Sequence, residues 1–343
     1  MGISFLPVME YLARRAFLAA GLCSQTASLP CEAGGTRTIH YWAPPGEPRL
    51  PPLLLIHGFG PMATWQWRRQ VVPFSRRYHV VVPDLLCFGG SSPCPSSPPP
   101  SESGQAAALD ALPGLAKTTR VAVVGTSYGG FVAYALARAA GPGRVGPVVI
   151  SNSDLLKTAE DDRALLQRAG GEWASTADLL MPLDARTARR LMELTFYRRQ
   201  LTAMLPDFVI GETVRVTNPL LHLHYLIDDQ YVPVLSGDLV DLQKLFRDKR
   251  EEKIELMKAI TVGTDEFQVT PLEQDVLLIW GDHDQIFPLD KAFAVKRCLG
   301  ENVELEIFKE TGHVPQMEDP NRFNDVVLDF LLSSQKSPNQ HDQ

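Results

Sequence analysis

Ser127 stands in the run Gly125-Thr-Ser-Tyr-Gly129, a serine enclosed by glycines. A serine hydroxyl is a poor nucleophile until a base takes its proton, so the run does chemistry only if the chain supplies partners. Candidates follow downstream. Trp280-Gly-Asp-His-Asp-Gln-Ile-Phe-Pro288 carries Asp282 and Asp284, and Glu310-Thr-Gly-His-Val-Pro-Gln-Met-Glu-Asp-Pro320 carries His313 on a glycine-opened loop. An imidazole can serve as general base toward the serine, and a carboxylate can fix its tautomer and stabilise its charged form. Upstream, Leu53-Leu-Leu-Ile-His-Gly-Phe-Gly60 ends an apolar run in a His-Gly turn. The main-chain N–H groups of Phe59 and Tyr128 are the candidate donors to a developing oxyanion. His57 reads as a histidine that fixes this turn rather than as a base.

Other chemistries fit the same residues less well. A phosphate loop needs Gly-Lys-Ser/Thr, which Gly129-Gly-Phe131 does not supply, and Gly125-Thr-Ser-Tyr-Gly-Gly130 is not a G-x-G-x-x-G fingerprint. On the pentapeptide alone, a glycine-rich turn with an inert serine stays open. So does the acid, among Asp284, Asp282 and Asp154, the last of which follows Val148-Val-Ile-Ser-Asn-Ser153. His222-Leu-His224 is a close histidine pair without an adjacent acidic or cysteine partner, so no metal site is expected. Cys23, Cys31, Cys87, Cys94 and Cys298 form no CxxC pair, and their odd number reads as reduced, mostly buried thiols.

These groups need elements to position them. Thr38–Ala43, Leu53–Ile56, His79–Val82, Val121–Val124, Val148–Ile150, Val276–Trp280 and Val303–Phe308 read as strands. The central runs are continuously apolar rather than alternating, which suggests a parallel sheet buried on both faces by helices. Ser127 then sits between a strand and the helical pattern Phe131–Arg138, and small residues two before and two after it let the turn be tight. Between Ile150 and Val276 the strand signal stops. Helical patterns such as Arg186–Phe196 and Lys249–Ile260 replace it, with Ile254, Met257 and Ile260 near helical spacing.

The expected organisation is an amphipathic N-terminal segment (1–36), a first core half (37–153), a helical cap (154–272), a second core half (273–332) and a disordered tail (333–343). Glu10, Arg14 and Arg15 interrupt the apolar residues 1–22, leaving no stretch long enough to span a bilayer. The segment reads as a helix lying on the body, with a transit or peripheral membrane role as the alternative. Ser92–Gly104 is a Pro/Ser-rich loop. With 343 residues, 45% hydrophobic, a net charge of −7 and no Lys/Arg block longer than a pair, the chain has a globular profile and no nucleic-acid surface. Oligomeric state is not legible.

The blocks HGFG, GTSYGG, DHDQIFP and GHVPQMEDP, in that order, resemble those of cap-bearing α/β-hydrolases. Trp65-Gln66, Val82–Ser91 and Trp280–Phe287 are especially similar to plant α/β-hydrolase-1 domain proteins. The resemblance spans roughly residues 37 to 332. It implies about eight mostly parallel strands, with a helical cap between the sixth and seventh. It also implies Ser127 as nucleophile, Asp284 as acid and His313 as base of a serine esterase that needs no cofactor. The implied substrate is a small to medium hydrophobic ester, walled by Phe59, Trp65 and Tyr128. Leu179, Leu180, Met181, Phe196, Leu201, Met204 and Phe208 are candidates for the cap's apolar underside. An epoxide hydrolase or haloalkane dehalogenase of this fold would place Asp at the elbow, whereas a ligand receptor, hydroxynitrile lyase or acyltransferase could keep the serine. Reduced cysteines favour the cytosol, while residues 1–22 leave a plastid or membrane surface open.

Overall fold

The computed structural model describes residues 6–31, 34–60, 62–95, 101–116, 120–171, 173–198, 248–260 and 268–336. The continuously apolar runs form the middle of one sheet. Strands β3 (Pro52–Ile56), β4 (His79–Pro83), β5 (Val121–Thr126), β6 (Val145–Ser151) and β7 (Val276–Gly281) are buried at every position. Because successive side chains point to opposite faces, Leu54, Ile56, Val123, Leu278 and Trp280 enter one core. Leu53, Leu55, Val124, Leu277 and Ile279 enter the other.

Eight strands run in the order β1-β2-β4-β3-β5-β6-β7-β8, completed by β1 (Cys23–Pro30), β2 (Thr36–Ala43) and β8 (Val303–Phe308). β1 pairs antiparallel with β2 and β2 with β4, while the remaining pairs are parallel. Phe17 of α1 (Leu6–Ala19), Trp67 of α2 (Ala63–Trp67), Phe74 of α3 (Val71–Ser75) and Phe323 of α13 (Pro320–Lys336) fill one face. On the other lie Leu109 of α4 (Glu102–Asp110), Phe131 of α6 (Tyr128–Ala140) and Val295 of α11 (Leu289–Leu299). A short turn of helix, α5 (Pro113–Ala116), joins α4 to β5. The chain therefore has the expected α/β architecture, with an insertion between the sixth and seventh strands. Its described helices are α7 (Ala159–Arg168), α8 (Thr176–Leu180), α9 (Ala185–Thr195) and α10 (Arg250–Ala259). Leu201, Met204, Phe208, His222 and His224 lie outside the described residues.

Four local expectations are corrected. Segment 1–36 is more than an amphipathic helix, because Cys23–Pro30 pairs along its whole length with β2 as an edge strand. Its polar, half-exposed sequence hides it from any search for apolar runs. The Pro/Ser loop ends early, at Ser101, whose side chain accepts the Gly104 N–H and caps α4. Ser333–Lys336 continue α13, with Gln335 Nε2 donating to the Tyr78 hydroxyl. Finally, Cys31 and Cys94 form a disulfide with Cα atoms 6.1 Å apart, leaving Cys23, Cys87 and Cys298 free. The two cysteines stand 63 positions apart in the sequence, so spacing alone gives no hint of the pair. The disulfide also removes the inference from uniformly reduced thiols. Among the described residues, no helix is long and apolar enough to cross a membrane.

Candidate active site

Sheet register sets the site. Ile56 lies beside Gly125, Thr126 beside Ser151, Ser151 beside Ile279, and Gly281 beside Phe308. The loops leaving β3, β5, β6, β7 and β8 consequently share one edge, the carboxyl edge where α/β sheets assemble sites.

Ser127 occupies the turn from β5 into α6 with φ 52° and ψ −124°, a conformation that costs a non-glycine residue strain. Its neighbours explain the glycines. A Cβ on Gly125 would lie 2.2 Å from the Gly129 carbonyl oxygen, and one on Gly129 would lie 2.3 Å from that of Ile56. Tyr128 opens α6, so its N–H has no acceptor within the helix. The turn after β3 packs directly on the serine, since a Cβ on Gly58 would fall 2.8 Å from Ser127 Cβ. Within that turn His57 is spent. Its Nε2 accepts the Leu85 N–H at 2.9 Å and its Nδ1 donates to the Gly58 carbonyl at 2.7 Å. Burial pushes its pKa down, so it stays the neutral imidazole that this bonding needs.

The structure brings Ser127, His313 and Asp284 into one chain. Ser127 Oγ lies 2.9 Å from His313 Nε2, and His313 Nδ1 donates to Asp284 Oδ2 at 2.8 Å. The other oxygen, Asp284 Oδ1, accepts the Ile286 and Phe287 N–H groups at 2.8 and 2.9 Å. Trp280 Nε1 closes that loop by donating to the Phe287 carbonyl at 2.8 Å. The competing acids are engaged elsewhere: Asp282 with His283 and the Thr311 N–H, Asp154 with Lys291 and the Leu156 N–H. Burial raises the Asp154 pKa, against the pull of Lys291.

Sequence reasoning missed Asn152. It leaves β6 with φ 48°, a left-handed conformation that asparagine tolerates, and its Nδ2 donates to Asp284 Oδ2 at 2.6 Å and to the Gly312 carbonyl at 3.3 Å. An asparagine at the end of a buried strand, in Ser151-Asn-Ser153, was the available signal.

Of the pocket candidates, Phe59 and Tyr128 meet edge to face at 5.3 Å, and Phe59 meets Phe88 at 5.1 Å. Phe59 also packs against Ala177, Met181 and Met257 of the insertion. The Tyr128 ring is itself almost wholly buried in the core. Trp65 is different, because its indole N–H donates to Glu10 on α1 at 2.8 Å. That bond ties the N-terminal helix to α2. A cavity of about 220 Å³ opens between α7 and α9, beside Trp173, Arg189 and Glu193, and is not bordered by the residues around Ser127.

Residues 53–326 match the model of the Alpha/beta hydrolase family, and the chain belongs to that family. Among characterised relatives, the 2-hydroxymuconate semialdehyde hydrolase of Pseudomonas sp. (strain CF600) is 26% identical over 288 residues, covering 82% of this chain and 87% of the relative. Among solved structures, a bacterial membrane phospholipase A superposes with a TM-score of 0.70 at 21% identity, covering 97% of this chain and 94% of that one. A meta-cleavage product hydrolase gives 0.62 at 20% identity, covering 90% and 98%. At these identities the structures establish the shared fold.

Proposed function

We propose that the chain is a serine hydrolase that cleaves an ester-type bond of a small to medium hydrophobic substrate through an acyl-enzyme. The observation that carries this reading is the Ser127 Oγ to His313 Nε2 contact of 2.9 Å, with the far side of the imidazole committed to Asp284. His313 takes the Ser127 proton as Oγ attacks the carbonyl carbon. The Phe59 and Tyr128 N–H groups receive the oxyanion, and one such donor is worth about 3 kcal/mol of barrier. The imidazolium then protonates the leaving alcohol, and the same histidine deprotonates the water that releases the acid. Phe59 and Phe88 beside the serine turn support an apolar substrate.

The test is labelling by a fluorophosphonate with mass-spectrometric mapping, together with turnover of p-nitrophenyl esters of increasing chain length. Labelling at Ser127 with ester turnover is the expected result. Folded protein that neither labels nor turns over would move the assignment to a ligand receptor, and labelling without ester turnover to a lyase or acyltransferase. A second reading is favoured by the characterised relative. Under it, the substrate is an acid such as 2-hydroxymuconate semialdehyde, and labelling at Ser127 with hydrolysis of that compound, followed directly beside the esters, in preference to them would mark it.

A further inference from the structure

The Ser127–His313–Asp284 chain leaves one nearby carboxylate without a role. Glu318 ends α12 (Pro315–Glu318), the single turn of helix that follows His313, and it is half-buried. Its two oxygens face two backbone donors from different parts of the fold. Oε1 accepts the Gly312 N–H at 2.7 Å, immediately before the histidine. Oε2 accepts the Tyr197 N–H at 2.8 Å, just beyond α9 in the insertion. A third bond closes the ring, for His313 N–H donates to the Thr195 carbonyl at 2.7 Å. The fit is close. A Cβ on Gly312 would lie 2.4 Å from the Thr195 oxygen and 3.0 Å from both Glu318 Oε1 and the Tyr197 nitrogen.

Resting on the proposed role of His313, we infer that Glu318 is a positioning residue: a carboxylate clasp that holds the histidine loop against the end of α9, so that base alignment depends on the insertion being seated. The chemistry favours a carboxylate over its isostere. Two converging N–H donors need two acceptors, and an ionised carboxylate supplies both, whereas a carboxamide offers one acceptor and turns an NH2 toward the other donor. Charge-assisted bonds of this kind are also short and strong. Burial raises the Glu318 pKa, opposed by its bonds to Tyr197 and Gly312. Among the described residues, the Gly312–His313 backbone is thus held from two sides, by Asn152 on the Gly312 C=O from the core and by Thr195 of the insertion on the His313 N–H, with Glu318 bridging the Gly312 N–H to Tyr197 of the insertion.

Glu318→Gln is the direct test, read in two ways. The first is the rate of fluorophosphonate inactivation and ester turnover, expected to fall on the order of tenfold to a hundredfold in kcat with KM little changed, as for a base displaced by a fraction of an ångström. The second does not depend on hydrolysis. The low-field proton resonance of the His313 Nδ1–H, present while the imidazole rests on Asp284, should broaden or move in the variant. If the parent protein fails to label, the hydrolase reading falls while the resonance still tests the clasp. Should Glu318→Gln not fold, Tyr197→Pro removes the insertion-side donor together with the ring whose centre lies 4.4 Å from that of His283, a loss for which Tyr197→Ala is the control, and Phe196, extended at φ −106° and ψ 138°, accepts a following proline. It should move the same signal in the same direction by less. A folded variant with parental inactivation rate and an unchanged His313 resonance overturns the inference.

Discussion

Gln66 grips the Gly58 peptide from both ends. Its Oε1 accepts the Gly58 N–H at 2.8 Å while its Nε2 donates to the Gly58 carbonyl at 3.4 Å. The peptide so held precedes Phe59, whose own N–H is the proposed oxyanion donor. Gln66→Ala should therefore loosen the donor without removing it. The expected outcome is a fall in kcat on the order of tenfold, against the roughly 10²–10³ of losing a donor outright. Steady-state kinetics on a p-nitrophenyl ester check this, and an unchanged kcat would show that the turn holds its shape alone.

Asp284→Asn keeps the size of the side chain and changes its bonding. A carboxylate accepts from His313, Asn152, Ile286 and Phe287, whereas an amide must turn its NH2 toward one of these donors. The imidazole is then free to take the wrong tautomer. Turnover should drop by about 10⁴ while the fold and thermal transition are retained. Near-parental turnover would reject Asp284 as the acid.

What could be read from the sequence follows from where the physics is local. Strands such as Leu53–Ile56 are legible because burial on both faces demands an unbroken apolar run, and the serine turn because a close backbone approach demands glycine at 125 and 129. Ser127 and Asp284 could be nominated because each follows such a strand, and His313 because it stands on a glycine-opened loop after the last strand. Asn152, Gln66 and Glu318 are harder to nominate, since their partners Asp284, Gly58 and Tyr197 lie 132, 8 and 121 residues away, and of the three only Asn152, at the end of a buried strand, carries a signal in the sequence. Trp65 has its partner hidden for the same reason. Its neighbourhood in sequence is the oxyanion turn, yet its partner in space is Glu10, 55 residues earlier.

A second serine, histidine and aspartate line up outside this site. Ser24 Oγ lies 2.8 Å from His40 Nε2, and His40 Nδ1 lies 2.8 Å from Asp84 Oδ2. These distances match those at Ser127, but Ser24 sits in the ladder of edge strand β1, whose pairing with β2 occupies the backbone rather than aiming amides at the hydroxyl. A relay without preorganised donors is a poor catalyst. Ser127→Ala should thus abolish fluorophosphonate labelling altogether, and Ser24→Ala should leave its rate unchanged. Peptide mapping that finds the label on Ser24 in the Ser127→Ala protein would contradict this.

The Cys31–Cys94 bridge ties the turn between β1 and β2 to the loop after β4. Closing a long loop in the unfolded chain is worth about 2–4 kcal/mol. Replacing both cysteines with serine should lower the urea midpoint by a corresponding amount while ester turnover is preserved, because neither cysteine touches the proposed machinery. Equal midpoints for parent and variant under non-reducing conditions would mean that the two loops are held without the bond.

Lys253 gives the protein a pH dependence of a different origin. It lies on α10 at 4% exposure, its Nζ donating to the Asp248 carbonyl at 2.9 Å and standing 5.1 Å from the centre of the Phe88 ring. Burial pulls its pKa from 10.5 down to about 8, against the opposing pull of Asp248 and Cys87. Between those values the unfolded chain binds the extra proton and the folded chain does not, so this group makes stability rise with pH across that window. Its favourable contribution is complete above 10.5 and is lost as the pH falls through 8. At pH 7 the buried ammonium is a cost, and Lys253→Met, which keeps the length of the stem, should raise Tm there. The gain should shrink steadily as the pH is brought from 8 toward 10. Calorimetry of parent and variant across that range checks the slope, and a Tm difference independent of pH would show that the lysine carries no burial penalty.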